Sequence, residues 1–144
     1  MDGVRPSQTV PGTYIGAAGD IPWRDVDGRG GKVRVKFFGE SQEAGPWVML
    51  VWFAPGYSEP SHWHDHDTVY IPTRGVMSIG PEGPVRVGDV RWVRAGTYYG
   101  PEAASDEGCE FWLIASGPPG HHPAPPTKAE LAALQAQGGV DASA

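Results

Sequence analysis

The chain has 144 residues, 40% hydrophobic and 10% aromatic, so it has the length of one domain and enough apolar material for a core. Its net charge of −6, with no run of basic residues, argues against nucleic-acid binding. No apolar stretch is long enough to span a membrane, and the first residues lack the apolar region of a secretory signal. Because the single cysteine, Cys109, has no partner for an internal disulfide, we expect a cytoplasmic protein.

The predicted elements begin after a long irregular segment. Residues 1–31 are rich in glycine and proline and weakly periodic, which predicts an extended arm. In KVRVKFF, Lys32, Arg34 and Lys36 alternate with apolar residues, which predicts a strand with one face exposed to solvent. WVMLVWFA (47–54) is apolar on both faces, as in a strand buried between two layers.

Four more short strands are predicted further along the chain, each bounded by glycine or proline. The segments are VMSIG, PVRVG, VRWVRAG and EFWLIAS. Many short strands separated by turns are typical of an antiparallel sandwich or barrel. The fold class is therefore predicted to be all-β, with a β-barrel over residues 32–117.

The last part of the chain, residues 118–144, has a different character. PPGHHPAPP cannot pair as an interior strand and is expected to run extended over the surface. Thr127 and Glu130 have the spacing of a capping box, which predicts a short helix over KAELAALQAQ that Gly138 ends. We therefore expect a single domain over residues 1–144, made of the arm, the barrel and this C-terminal segment.

The segment SHWHDHDTVY places His62, His64 and His66 at alternate positions. Alternate residues share one face of an extended chain, so the three imidazoles would point to the same place. Because imidazole nitrogens bind Zn²⁺, Fe²⁺ and Ni²⁺, the pattern predicts a divalent metal site, with zinc as the first choice. The only other histidines are His121 and His122, either of which could replace His66 if that residue faces water.

The spacing of two segments resembles the cupin superfamily. Gly56, His62, His64 and Gly75 match its first motif, and GDVRWVRAGTYYG, which starts at Gly88, resembles its second. The resemblance implies a cupin double-stranded β-helix, a jelly-roll-like barrel whose metal is bound by histidines and a glutamate.

Two ligands of that family are replaced in this sequence. The family's glutamate falls on Thr68 and its second-motif histidine falls on Tyr99, so only His62 and His64 carry over directly. Without a carboxylate ligand the ion would keep its full charge. That favours polarisation of a carbonyl group over activation of oxygen.

A closer resemblance covers RGGKVRVKFFGE, PSHWHDHDTVYIPTRG and GTYYGPEAASDEGCEFWLI. These segments are similar to the small cupin-type cyclases of bacterial aromatic polyketide pathways, of the resistomycin type. The resemblance implies aldol-type closure and aromatisation of a poly-β-ketone without redox change. In such a reaction Tyr99 would bind the metal or donate a hydrogen bond to the developing alkoxide. Tyr70 is expected to face inward as well, which makes it a second candidate. The alternative is that both are packed core tyrosines, and no general base stands out in the sequence.

Two other function classes remain open from the sequence. One is an Fe(II)-dependent cupin dioxygenase, and the other is a cupin that binds a metabolite without catalysis. The expected partners are a polyketide intermediate, free or on an acyl carrier protein, and a second copy of the chain. A homodimer is predicted because the arm has too little apolar content for a core of its own and would cover a sheet edge of a neighbour.

Overall fold

The computed structural model describes residues 3–38 and 46–137 of the chain. Short antiparallel strands dominate this part, so the all-β prediction is confirmed. The strands are β1 Val4–Pro6, β2 Tyr14–Gly16, β3 Arg24–Asp25, β4 Val33–Phe38, β5 Trp47–Phe53, β6 Ser58–Glu59, β7 Thr68–Ile79, β8 Gly83–Arg86, β9 Arg91–Val93 and β10 Glu102–Ala115, and the helix is α1 Lys128–Ala136.

The main sheet has the strand order β3-β4-β5-β10-β7-β8, with β6 paired to β10 and β9 paired to β7. The two longest strands, β7 and β10, pair with different partners along their lengths. One end of β10 lies against β5 and its other end against β6, while β7 contacts β9 and then β8. The sheet therefore curls around one shared core, formed by Val33, Val51, Phe53, Tyr70, Met77, Ile79, Phe111 and Leu113 among others.

Gly75 of β7 lies directly against the backbone of β10. The register between these strands shifts between Ala104 and Cys109, opposite this glycine. Gly75 has a φ of 67°, and a Cβ atom at this position would lie 2.0 Å from the carbonyl oxygen of Gly108. Only glycine fits there, which explains its place at the end of the first histidine-containing motif.

The arm is partly structured. β1 and β2 form a separate two-stranded sheet, while β3 pairs with β4 at the edge of the main sheet. The predicted KVRVKFF strand is confirmed, but the prediction that Lys36 faces solvent is wrong. Lys36 is buried, because the arm crosses over it: its Nζ donates to the carbonyl of Ala18 at 2.5 Å and lies 4.8 Å from the ring centre of Trp23.

The C-terminal helix begins as the sequence predicts. The Thr127 hydroxyl accepts from the amide of Glu130 at 3.1 Å, and the Glu130 carboxylate accepts from the amide of Thr127 at 3.1 Å. The predicted end at Gly138 lies outside the described residues. Within those residues, no helix combines the length and apolar character that crossing a membrane requires.

Candidate active site

The histidine segment is extended only in its first half. His62 pairs with Tyr99 through two backbone hydrogen bonds of 3.0 and 3.1 Å. The backbone then bends at Asp65 and His66 before β7 begins. The period of two therefore holds for His62 and His64, which are both buried and line one cavity.

Backbone carbonyls fix the orientation of both buried imidazoles. Nδ1–H of His62 donates to the carbonyl of Pro60 at 2.7 Å, and Nδ1–H of His64 donates to the carbonyl of Gly120 at 2.6 Å. A proton on Nδ1 leaves the lone pair of a neutral ring on Nε2. Burial lowers the pKa of His62 to about 4 and also lowers the pKa of His64, so both rings are neutral near pH 7. This is the usual arrangement of histidines that bind a metal through Nε2.

Two tyrosine hydroxyls face these nitrogens. The hydroxyl of Tyr99 lies 3.0 Å from Nε2 of His62 and 3.1 Å from Nε2 of His64, and it forms a short hydrogen bond with the hydroxyl of Tyr70. One hydroxyl proton is used in the bond between the tyrosines, so one proton remains for two Nε2 atoms. At least one imidazole lone pair is therefore left without a donor, as expected where a cation binds.

Glu102, the first residue of β10, brings a carboxyl group to the same place. It is only 2% exposed, and its Oε1 lies 3.7 Å from Nε2 of His62 with no hydrogen-bond partner among the described residues. Burial raises the pKa of Glu102 to about 7, despite the opposing effects of the nearby Arg91 charge and of hydrogen bonding with Tyr99. No general base stands out in the sequence, whereas the fold places in this cluster a buried carboxyl group whose pKa is near neutrality, a property that general bases require.

A second buried carboxylate, Glu59 of β6, holds His121 against the site. Glu59 accepts two hydrogen bonds from Arg29, at 2.7 and 3.0 Å, and a short one from Tyr57. Its contact with Nε2 of His121 is 3.1 Å, and the ring of His121 stacks on His62 at 4.4 Å. Burial alone would raise the pKa of Glu59, but the hydrogen bonds from His121, Arg29 and Tyr57 outweigh it and lower that pKa.

The remaining histidines lie away from this cluster. Nδ1–H of His66 donates to the carbonyl of Pro118 at 2.7 Å, and its ring packs against the backbone of Gly117. His122 interacts instead with the carboxylate of Asp65 at 2.9 Å. The structure thus brings His121 beside His62 and His64, and it does not bring His66 there. His66 as the third metal ligand stays a prediction that the geometry does not favour.

The donor atoms of this cluster suit a divalent metal. Three ligand atoms, one from each of Glu59, His62 and His121, lie within 4.8 Å of one another. His64 joins them because its Nε2 and that of His62 both contact the hydroxyl of Tyr99. Imidazole nitrogens with carboxylate oxygens are the common ligands of zinc and of non-haem iron. The cluster lines a cavity of about 120 Å³ together with apolar side chains, which include Val33, Val51, Phe53, Phe111 and Leu113.

Metal-free protein should lose stability as the pH rises through the pKa of Glu102. The folded-state pKa of about 7 lies above the ordinary value of 4.5, so the proton stabilises the fold fully below 4.5 and no longer does so above 7. Relative to wild type, Glu102→Gln should therefore gain about 3 kcal/mol of unfolding free energy between about pH 4 and pH 8. Urea unfolding of chelator-treated proteins measures this difference. Parallel pH profiles for the two proteins would show that Glu102 is ionised at neutral pH.

An antiparallel β-barrel with histidines and carboxylates gathered inside it defines a cupin-type protein. The family model described as the ChrR cupin-like domain matches residues 12–118. The chain belongs to this family, which confirms the cupin resemblance seen in its motifs.

Solved structures share the fold. The polyketide cyclase RemF from Streptomyces resistomycificus has a TM-score of 0.64 at 15% identity, over 83% of this chain and 90% of RemF. KdgF from Halomonas sp. has a TM-score of 0.56 at 18% identity, over 69% of this chain and 92% of KdgF. A chain in the complex of Rhodobacter sphaeroides SigE with the anti-sigma ChrR has a TM-score of 0.57 at 19% identity. The match covers 69% of this chain and 51% of that chain, so this protein spans about half of its length.

These identities show the fold and leave the activity open. Comparison with curated protein sequences gave no match. A putative dioxygenase from Nostoc punctiforme and oxalate decarboxylases also share the fold, so a cupin barrel by itself accommodates several chemistries.

Sequence reasoning missed three residues of the site: Glu59, Glu102 and Arg29. Glu59 and Glu102 each lie at the end of a strand, where a charged residue usually faces water. The sequence held one weak signal for Glu102: it lies two residues before the buried Ala104, so the two side chains lie on the same face of the strand. Arg29 lies in a glycine-rich loop and carries no such signal.

Proposed function

We propose that the protein is a metal-dependent polyketide cyclase, which catalyses aldol-type ring closure and aromatisation of a poly-β-ketone. One observation carries the proposal: Oε1 of Glu102, which has no hydrogen-bond partner in the described part of the chain, lies in a buried cluster with two imidazoles and two tyrosine hydroxyls. An aldol closure needs a base for an α-proton, hydrogen-bond donors for the oxygen that gains charge, and an apolar cavity. This cluster and its cavity contain each of these groups.

Glu102 is the base in this scheme. Its Oε1 accepts the proton from a methylene between two carbonyl groups, and the resulting carbanion attacks a second carbonyl of the same chain. Tyr99 and Tyr70 donate hydrogen bonds to the oxygen that becomes negative. A tyrosine proton then completes the aldol hydroxyl, and the proton held by Glu102 returns to that tyrosine, so that both groups regain their starting state. Burial raises the pKa of both tyrosines, so they are protonated donors at neutral pH.

We propose that His62, His64 and His121 hold the metal, with zinc as the expected ion. When bound, the ion would supply Lewis-acid polarisation of a ketone oxygen. The Arg29–Glu59 pair fixes the ring of His121, as carboxylates commonly do for histidine ligands. Because Arg29 balances the charge of Glu59, that carboxylate adds little net negative charge to the site.

The cavity volume limits what the site encloses. About 120 Å³ is smaller than the roughly 300–1,000 Å³ of most ligand pockets. It suits the reacting diketone unit, and the rest of a polyketide would lie outside it. That substrate would arrive free or on an acyl carrier protein.

A second candidate function is an iron-dependent dioxygenase. The grouping of Glu59, His62 and His121 favours it, because two histidines and one carboxylate are the ligands of many such enzymes. However, Arg29, Tyr57 and His121 already occupy the Glu59 carboxylate. The substitution Thr68→Glu, which would restore the glutamate of the cupin motif, cannot separate the two functions. Thr68 is fully buried, so a larger side chain would overpack the core.

Turnover without oxygen separates the two functions. The assay uses a poly-β-ketone thioester of N-acetylcysteamine under nitrogen, with cyclised products detected by mass spectrometry. Zinc-loaded wild type should form them at the same rate with and without oxygen, and His62→Ala should not. Product that forms only with iron and oxygen would identify the dioxygenase. The absence of both product and bound metal would favour a cupin that binds a metabolite without catalysis.

We also propose that the chain forms a homodimer through its arm. The hairpin formed by β1, β2 and their connection leaves Val10, Tyr14 and Ile15 exposed by 56%, 45% and 55%, and a second copy of the chain would cover these apolar side chains. Sedimentation should give a dimer at micromolar concentration, and Ile15→Asp should shift it towards a monomer. A stable wild-type monomer would contradict this proposal.

A further inference from the structure

A second cavity adjoins the proposed active site through Tyr99. It has a volume of about 490 Å³ and lies between β9 and residues 97–100. The hydroxyl of Tyr99 contacts His62 and His64, while Tyr99 also lines this second cavity. Its volume falls within the range of ordinary ligand pockets.

Arg91 lines this cavity and has an unsatisfied donor. Its side chain is 10% exposed, and its Nε and Nη2 donate to Glu82 at 3.0 and 2.6 Å. Nη1 is buried and has no partner within residues 3–38 and 46–137. The guanidinium carbon lies 4.4 Å from the ring centre of Tyr99 and 5.2 Å from that of Tyr70. A buried N–H without an acceptor is costly, and a ligand oxygen that reached Nη1 from the cavity would satisfy it.

Large aromatic side chains form the outer part of the same cavity. Trp92 is 60% exposed and Tyr98 is 43% exposed, and both line it. The guanidinium of Arg94 lies 5.3 Å from the ring centre of Trp92, which adds a second positive charge at the rim. The exposed rings offer flat apolar area for a ligand, and the two arginines offer positive charge.

We propose that this cavity is a binding site for an aromatic carboxylate. The carboxylate would accept from Nη1 and Nη2 at the end of the Arg91 guanidinium, where two N–H groups match its two oxygens. The flat body of the ligand would lie against Trp92 and Tyr98. Carboxylate is favoured over phosphate because Glu82 already neutralises part of the Arg91 charge. If the chain is the cyclase proposed above, this site would hold the carboxyl end of the polycyclic product, but binding does not depend on that activity.

The test is calorimetric titration of the full chain with 2-naphthoate, before and after removal of metal by a chelator. We expect saturable binding that persists without metal, and at least about tenfold weaker binding of 2-naphthamide, which lacks the charge. Arg91→Gln and Trp92→Ala should each weaken binding at least about tenfold. Arg86→Gln is the matched control, since Arg86 is an exposed arginine of the neighbouring β8 outside the cavity, and its affinity should equal that of wild type.

Several results would overturn the proposal. The first is an absence of saturable naphthoate binding. The second is binding that is lost when the metal is removed, which would mean that naphthoate binds the metal. The third is equal affinity of Trp92→Ala and wild type for naphthoate. Trp92 is exposed, so that variant keeps the test decisive even if Arg91→Gln fails to fold. Failure of the cyclase assay with intact naphthoate binding would reject the proposed function alone, and the reverse outcome would reject this site alone.

Discussion

Replacing His62 with alanine is expected to abolish stoichiometric metal binding. His62 is one of the three residues whose ligand atoms lie within 4.8 Å of one another, and its Nδ1 is already fixed by the Pro60 carbonyl. Loss of a ligand should lower the metal affinity by more than about 100-fold, because even the partners that orient ligands contribute about 10- to 100-fold. His64→Ala should have the same effect. Metal content per chain, measured by mass spectrometry after dialysis, checks both.

The third ligand is decided by comparing the other three histidines. As the loss of a ligand, His121→Ala should weaken binding by more than about 100-fold, whereas His66→Ala should leave it unchanged, since His66 packs against residues 117–118. His122→Ala is the matched control, because His122 follows His121 in the chain but interacts with Asp65. Full occupancy in His121→Ala and an empty site in His66→Ala would restore the set predicted from sequence: His62, His64 and His66.

Glu102→Gln should slow cyclisation by about 10²- to 10⁴-fold while metal content stays at the wild-type level. Glutamine keeps the volume and hydrogen-bonding capacity of the side chain, but it cannot accept the α-proton. The effect should appear in kcat more than in KM, because the proton is transferred only in the reaction itself. The measurement is steady-state product formation with the poly-β-ketone thioester.

A control on the same strand makes this result specific. Glu107 is an exposed glutamate of β10, and Glu107→Gln should have the wild-type rate. Wild-type activity in Glu102→Gln would mean that another group is the base. A large loss of metal in the same variant would instead identify Glu102 as a metal ligand.

Local patterns in the sequence determined the strands, the capping box and the direction of two histidines. The alternation in KVRVKFF and the apolar run of β5 follow from the two-residue period of a strand, which neighbouring residues alone define. Thr127 and Glu130 are three residues apart, so the helix start is equally local. His62 and His64 share a face because the backbone between them is extended.

Other features depended on segments that are distant in the chain. Lys36 has the pattern of a solvent-facing residue, yet the arm buries it. The bend after His64 ends the two-residue period at His66, and local composition did not indicate where that bend would fall.

The full donor set of the site was decided by tertiary structure alone. Residues 118–122 were expected to run over the surface, but they dock along the histidine segment and deliver His121 and the carbonyl that orients His64. Glu59 and Glu102 reach the site because β6 pairs with β10. Strand pairing depends on the packing of the whole barrel, so residues far apart in sequence become neighbours without any local signal.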